Sequence, residues 1–358
     1  LRLNRATLAS SGALTMSAAG AMDTGAASIS GDTLSVTAQR WSNVDGVVTQ
    51  TGQAGALSAA LQGALDNTRG EIAAAGRTLT VNAGSIDNTR GRLVHAGAEG
   101  LSLTTGTLSG ANGEILGAHV VTLTATGAVD LSQAKTQGGT VTLQADSLRH
   151  QGGQLLSGGD AQLRAAGAID NTGGAMGAGG DLRAQAASLD NTGGQLGARA
   201  VDLTLGTLTN GAQGLINAQT ALTIGASQVT NAGSLQSGAD TRLTTTGALS
   251  NSGNIYAQGN ATVNAGQTLT NNGLIGAQGA LTVDALALAG AGTLAAGLRP
   301  DNSLGAQGDL TVRTTGTLQS AGSMLAAGAV TLRGGGLQLQ DSRLQAASVS
   351  MSSTGASG

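Results

Sequence analysis

Apolar residues recur in three short clusters, and the set of three keeps returning. In residues 65–85 the first cluster is Leu65, the second is Ile72, and the third is Leu79 and Val81 on either side of Thr80. Gly or Asn punctuates each junction, as turns with positive φ require. Alternation at period two predicts strands, and no segment sustains a helical period. The anchor position recurs at Leu65, Ile86, Leu108, Val129, Leu148, Ile169, Leu189, Leu208, Val229, Leu249, Leu269 and Leu288, at intervals of 19 to 22 residues. A repeat near 20 residues that closes three strands and three turns predicts an all-β solenoid, a parallel β-helix with three short strands per rung. The general bias of parallel crossovers makes it right-handed.

The other clusters repeat in step. The second slot reads Leu93, Ile115, Leu155, Met176, Leu196, Ile216, Leu235, Ile255, Ile275 and Met324, each with a Gly two residues earlier. The third slot holds pairs such as Leu101/Leu103, Val121/Leu123, Val201/Leu203 and Leu281/Val283. Rungs stacked about 4.8 Å apart turn each slot into a continuous inner column, and roughly 17 rungs would span on the order of 80 Å. The residue two after the anchor is Asn at 67, 88, 171, 191, 210, 231, 251 and 271. Stacked at strand spacing, Asn67, Asn88, Asn171, Asn191, Asn210, Asn231, Asn251 and Asn271 are expected to bond amide to amide as a structural ladder. The residue after the anchor is Asp at 66, 87, 170 and 190, then Thr209, Thr230, Ser250 and Thr270. A Thr row at 80, 122, 142, 223, 262, 282, 311 and 331 points outward.

Regularity defines three stretches. Residues 1–64 are expected to form degenerate rungs, in which Met22, Ile29 and Leu34/Val36 mimic one turn and the pattern fails to place every residue from Trp41 to Leu65. Residues 65–345 form the regular repeats, with an insertion near 295–308 that contains the only Pro, Pro300. Residues 346–358 are a Ser/Gly-rich end. The chain opens Leu1-Arg2-Leu3 with neither an initiator Met nor a signal peptide, which reads as an internal piece of something longer.

Composition narrows the class. With 60 Gly, no Phe, one Trp and one Tyr, the chain has nothing to fill a wide core. Mean hydropathy of +0.08 and few charges separate it from disordered chains. A net charge of −3 argues against nucleic acid as a partner. No run of about 18 apolar residues exists, so no membrane span is expected. Cys is absent, which suits export of an unfolded chain.

Candidate chemistry is sparse. His95, His119 and His150 occupy unrelated slots, so neither a His-based metal site nor a triad is expected. No catalytic residue and no cofactor is assigned, and the chain reads as a non-enzyme. Gly173-Gly174 and Gly179-Gly180-Asp181 give one match to a calcium β-roll that needs a nine-residue period, and stacked Asp66 and Asp87 read as ladder edges rather than a cation site. Arg69 and Arg90 share a slot, with Arg77, Arg92 and His95 nearby. These four Arg are the glycan-contact candidates, although Asp66, Glu71, Asp87 and Glu99 balance them. Polar and charged interruptions argue against ice binding by the Thr row, and no Arg-Gly-Asp tripeptide occurs.

The repeated Leu-Asp-Asn-Thr-x-Gly-x-Ile/Leu-x-Ala, followed by Leu-Thr-Val, resembles the repeats of the filamentous haemagglutinin family, the large exoproteins of bacterial two-partner secretion. The resemblance covers roughly residues 65–345. It implies a right-handed parallel β-helix rod, exported through an outer-membrane transporter, displayed or released at the cell surface, and adhesive toward host cells and glycans, with a role in virulence. The expected function is thus a rigid rod segment of a large secreted adhesin that mediates host-cell attachment. The stalk of a contact-dependent growth-inhibition protein shares these repeats and is the alternative, as is direct heparin-type glycan binding by this segment. Rung-by-rung growth on a preformed edge would let the chain fold progressively as it emerges from a pore.

Overall fold

The computed structural model describes residues 1–355, so the last three residues of the Ser/Gly-rich end lie outside the described residues. The chain divides into two units, Leu1–Gly180 and Asp181–Gly358. Among the described residues there is no helix. Each unit is a stack of parallel strands, a β-solenoid with a turn about every 20 residues.

One rung of the first unit shows how the sequence closes a turn. Glu71–Ala74 is one strand. Thr78–Asp87 supplies the other two: its first half pairs with Leu57–Leu61 and its second half with Ala64–Asp66, on either side of Gly84. Val48, Ile72, Leu93, Ile115, Thr136, Leu155 and Met176 stack in one column. Leu34, Leu57, Leu79, Leu101, Val121 and Val141 stack in another. All are buried, and the intervening residues face outward, as period-two alternation dictates. The core is therefore a bundle of thin Leu/Ile/Val columns, which needs no aromatic filling.

Residues 1–64 occupy the same slots. Trp41 pairs with Met22 on one side and Leu65 on the other, in the anchor column. Val48 takes the second slot, and Leu57 with Ala59 the third. Two things hide this in the sequence. A Trp stands where Leu is usual, and Val48 precedes Leu57 by nine positions whereas Ile72 precedes Leu79 by seven.

In the second unit Leu196, Ile216, Leu235, Ile255, Ile275, Leu294 and Met324 form one column. Leu281 pairs with Leu310 and Leu288 with Leu318, so the segment between Leu298 and Gly308 leaves the stack without shifting the register. They fold into a hairpin: Leu298 and Leu304 make an antiparallel bridge, Arg299 N–H donates to Ser303 O at 2.8 Å, and Asn302 N–H donates to Arg299 O at 2.9 Å. Pro300 fixes the start of the turn and Asn302, at φ 64, supplies the left-handed residue that ends it. Ser348–Ser353 pairs in register with Ala329–Gly334.

Candidate functional site: the asparagine ladder and its charged turns

Two residues after each anchor the chain turns, and the side chain there points inward. In the first unit, Asn43 Nδ2 donates to Asn67 Oδ1 at 2.8 Å, and Asn67 Nδ2 donates to Asn88 Oδ1 at 2.7 Å. Each amide also closes its own turn, Asn67 on Gly70 O and Asn88 on Gly91 O. All three are fully buried. The row begins earlier: Trp41 Nε1 donates to Thr24 Oγ1 at 2.9 Å, and Thr24 Oγ1 donates to Asn43 Oδ1 at 2.8 Å. Thr24, Asn43 and His150 obey the same rule, two after Met22, Trp41 and Leu148, and could have been found by it.

The first ladder is interrupted after Asn88. Gly110 and Leu131 hold the next two places, and a Cβ on Gly110 would lie 2.9 Å from Leu131 Cδ2. The Leu leans into the space that the Gly vacates. His150 resumes the row, with Nδ1 2.9 Å from Asn171 Oδ1. Asn171 Oδ1 accepts, because its Nδ2 already donates to Gly174 O, so His150 carries its proton on Nδ1. Burial pushes the His150 imidazole below its ordinary pKa, and its hydrogen bonds to Asn171 and to the Gln154 backbone offset this only in part.

The second unit carries the longer row. Asn191 donates to Asn210 at 2.8 Å, Asn210 to Asn231 at 2.8 Å, Asn231 to Asn251 at 2.7 Å, and Asn251 to Asn271 at 2.8 Å. The row ends at Gly290, whose φ of +120 excludes a side chain and whose Cβ would meet Asn271 O at 2.1 Å.

The Asp beside the ladder caps the turn. Asp66, Asp87 and Asp170 each accept, through Oδ1, the backbone N–H two residues on, at 2.9–3.0 Å. Asp190 does the same for Thr192 at 2.9 Å. From Asn231 onward the turn to the next strand is shorter, four positions from Asn231 to Leu235 against five from Asn67 to Ile72, and no Asp precedes the ladder residue there. Among the described residues no group of three or more His, Cys, Asp or Glu is placed to hold a metal ion.

Arg69 and Arg90 project from the left-handed turn position, at φ 55 and 56. Arg69 makes a two-pronged pair with Asp45 of the preceding rung, at 2.7 and 2.8 Å, which holds the Asp45 carboxyl below its usual pKa. Arg77 Nε donates to Glu99 at 2.7 Å. Arg92 lies between Glu71 at 2.7 Å and Glu114 at 2.9 Å, and Lys135 follows Glu114 in register, so this column alternates in sign. The side chain of Arg90 has no ion pair among the described residues. Three of the four candidate cations are thus neutralised by acids of a neighbouring rung, and of the four Arg90 alone is left to meet an external anion.

The rung, with its Asn turn, capping Asp and Gly two before the second slot, is a sequence signature as well as a geometry. The family profile described as haemagglutinin repeat matches residues 3–68, 53–133, 134–173, 170–204, 197–253, 251–295 and 287–356. The chain belongs to the haemagglutinin-repeat family. Comparison with curated proteins and with solved structures gives no match. The matches include residues 3–64 and run through the inserted hairpin, which shows that haemagglutinin repeats tolerate a Trp in the anchor slot and a ten-residue excursion at a turn.

Proposed function

We propose that this chain is a rigid rod segment of a large secreted or surface-displayed bacterial adhesin, which holds the regions that attach to host cells at a distance from the bacterium. The observation that carries the reading is the seven-fold match to haemagglutinin repeats, continuous with rungs that are bonded to their neighbours by backbone, ladder and ion pairs. Three of the four arginines that could have met a glycan are paired with acids of neighbouring rungs, as suits a scaffold. Its partners in this reading are an outer-membrane transporter during secretion, and host glycans or receptors engaged mainly by other parts of the full protein.

The test compares binding of the 358-residue chain and of a longer version to heparin and to epithelial cells across a salt series. Binding by the longer version alone supports the scaffold. Salt-sensitive binding by this chain, lost on changing Arg69, Arg77, Arg90 and Arg92, overturns it in favour of direct glycan contact. A toxin domain at the C-terminus of the full protein, beside an immunity gene, would instead make it a delivery stalk.

A further inference from the structure

The inserted hairpin changes the surface of the second unit at one place. Strands Ser234–Ser237, Asn254–Ala257 and Leu274–Ala277 present outward columns in which Gln236, Tyr256 and Gly276 are neighbours, as are Ser234, Asn254 and Leu274. Gly276 leaves room above the sheet, and Leu298 of the hairpin fills it: a Cβ on Gly276 would lie 3.0 Å from Leu298 Cδ2 and 3.3 Å from Tyr256 Cδ2. Leu298 is buried, and Tyr256 Oη donates to its carbonyl at 2.8 Å. The phenol is thereby fixed as a wall. Between that wall and the hairpin tip lies a cleft of about 260 Å³, lined by Tyr256, Asn254, Gln236, Arg299, Pro300 and Asn302.

Three features of this cleft point to a ligand. The chain has no Phe and its single Trp is buried, so Tyr256 is the one aromatic ring available at the surface. Asn254 lines the cleft, yet its Oδ1 is shielded without a hydrogen-bond partner. An acceptor in that state is destabilising, and a hydroxyl donor relieves it once the amide turns toward it. Arg299 is exposed at the rim and its guanidinium makes no ion pair or hydrogen bond among the described residues, though its charge helps to hold the nearby Asp301 carboxyl below the usual carboxylate range. Asp301, close by, already accepts from Ser303 N at 3.0 Å and Ser303 Oγ at 2.7 Å.

We propose that this cleft binds a single pyranose residue that carries a carboxylate. Tyr256 stacks on the apolar face of the ring, the amides of Gln236, Asn254 and Asn302 take its hydroxyls, and the Arg299 guanidinium engages the carboxylate as a fork. The volume lies at the small end of ligand pockets, which limits the occupant to one sugar unit. The proposal deepens the reading of the chain as part of a host-facing adhesin, but it concerns a site unrelated to the paired arginines.

The experiment titrates the whole chain with methyl glucuronide and methyl glucoside, followed by calorimetry and ligand-observed NMR. The glucuronide should bind about tenfold tighter than the glucoside, as expected for one charge-assisted contact. Arg299→Gln should bring the two sugars level, and Tyr256→Ala should abolish binding of both. Because Tyr256→Ala removes a hairpin contact, Tyr256→Phe is the control that keeps the ring and should keep binding. No binding by the unaltered chain, equal binding of the two sugars, or glucuronide binding that survives Arg299→Gln each overturns the proposal. Loss of the cleft reading with cell attachment retained by the longer version leaves the adhesin reading standing, so the two failures are distinguishable.

Discussion

Asn231 is the position at which the ladder can be weighed. It is 1% exposed and sits mid-row in the second unit. Its Oδ1 accepts from Asn210 at 2.8 Å, and its Nδ2 donates to Asn251 Oδ1 at 2.7 Å and to Asn254 O at 3.1 Å. Asn231→Ala deletes all three bonds. Asn210 Nδ2 keeps Gly214 O and Ser234 O, both at 3.2 Å, so the donor side is partly covered. Asn251 Oδ1 loses its donor and is stranded, at about 1–3 kcal/mol, and the other two bonds contribute about 1 kcal/mol each. The expected loss is about 3–5 kcal/mol. It should be concentrated in the adjoining rungs, because repeat stability is a sum of neighbour terms. Guanidinium unfolding followed by circular dichroism measures the total, and hydrogen exchange of the Leu222–Asn231 and Leu249–Asn251 strands measures the local share. Thr223→Ala, on the exposed outward row, is the control and should stay within about 0.5 kcal/mol of the unaltered chain. If Asn231→Ala matches that control and leaves exchange in both strands unchanged, the ladder is an ornament of the turn and the reasoning fails.

The interrupted stretch of the first unit gives a coupled prediction: Gly110→Asn alone clashes with Leu131 and should destabilise by about 1–3 kcal/mol, while Gly110→Asn with Leu131→Asn should recover much of that loss, read as non-additivity in a double-mutant cycle. His150 supplies a pH dependence. The unfolded chain takes up a proton near pH 6.5 and the folded chain resists it, so between the folded and unfolded pKa values the unfolded state binds more protons and stability falls as pH drops below about 6.5. His150→Asn keeps a ladder amide in that slot and should flatten this fall in denaturant melts between pH 7.5 and 5. If heparin retention is limited by paired cations, Asp45→Asn and Glu99→Gln together should raise it by freeing Arg69 and Arg77, and unchanged elution salt would show that pairing is not the limit.

The solenoid was legible because its period is written twice. The apolar slots and the Asn-Gly punctuation recur on the same 19–22-residue interval, and no competing helical pattern obscures them. Three features resisted for separate reasons. Trp41 satisfies its slot by volume and by an Nε1 bond to Thr24, so a search for Leu passes over it. His150 replaces an amide through one ring nitrogen, so its position two after Leu148 was readable but its place in the ladder was hidden by a search for Asn. Ion pairing of Arg69, Arg77 and Arg92 depends on which acids fall opposite them one rung away, and that follows from register rather than from local sequence. Net neutrality was readable over residues 66–99, whereas the choice of partner was not. The cleft beside Tyr256 was unreadable for the same cause, because the hairpin and the sheet columns it rests on are separated by about 40 residues of chain.

These bonds share a consequence for how the chain acquires its structure. Each regular ladder bond, strand pairing and inter-rung ion pair joins residues about 20 apart, and every junction repeats the same few contacts. A rung therefore closes only a short loop before it is rewarded, which favours addition to a formed edge over a global search. The columns stay narrow because Ala and Gly hold the corners, so no rung waits for a distant aromatic to complete its core. The exceptions are informative. Tyr256 bonds Leu298, 42 residues on, and the hairpin cannot dock until the rungs of Asn254–Ala257 and Leu274–Ala277 exist. In a chain that grows rung by rung, the inserted surface is thus assembled after the strands beneath it, and changes confined to the hairpin should alter binding while leaving the progress of the stack intact.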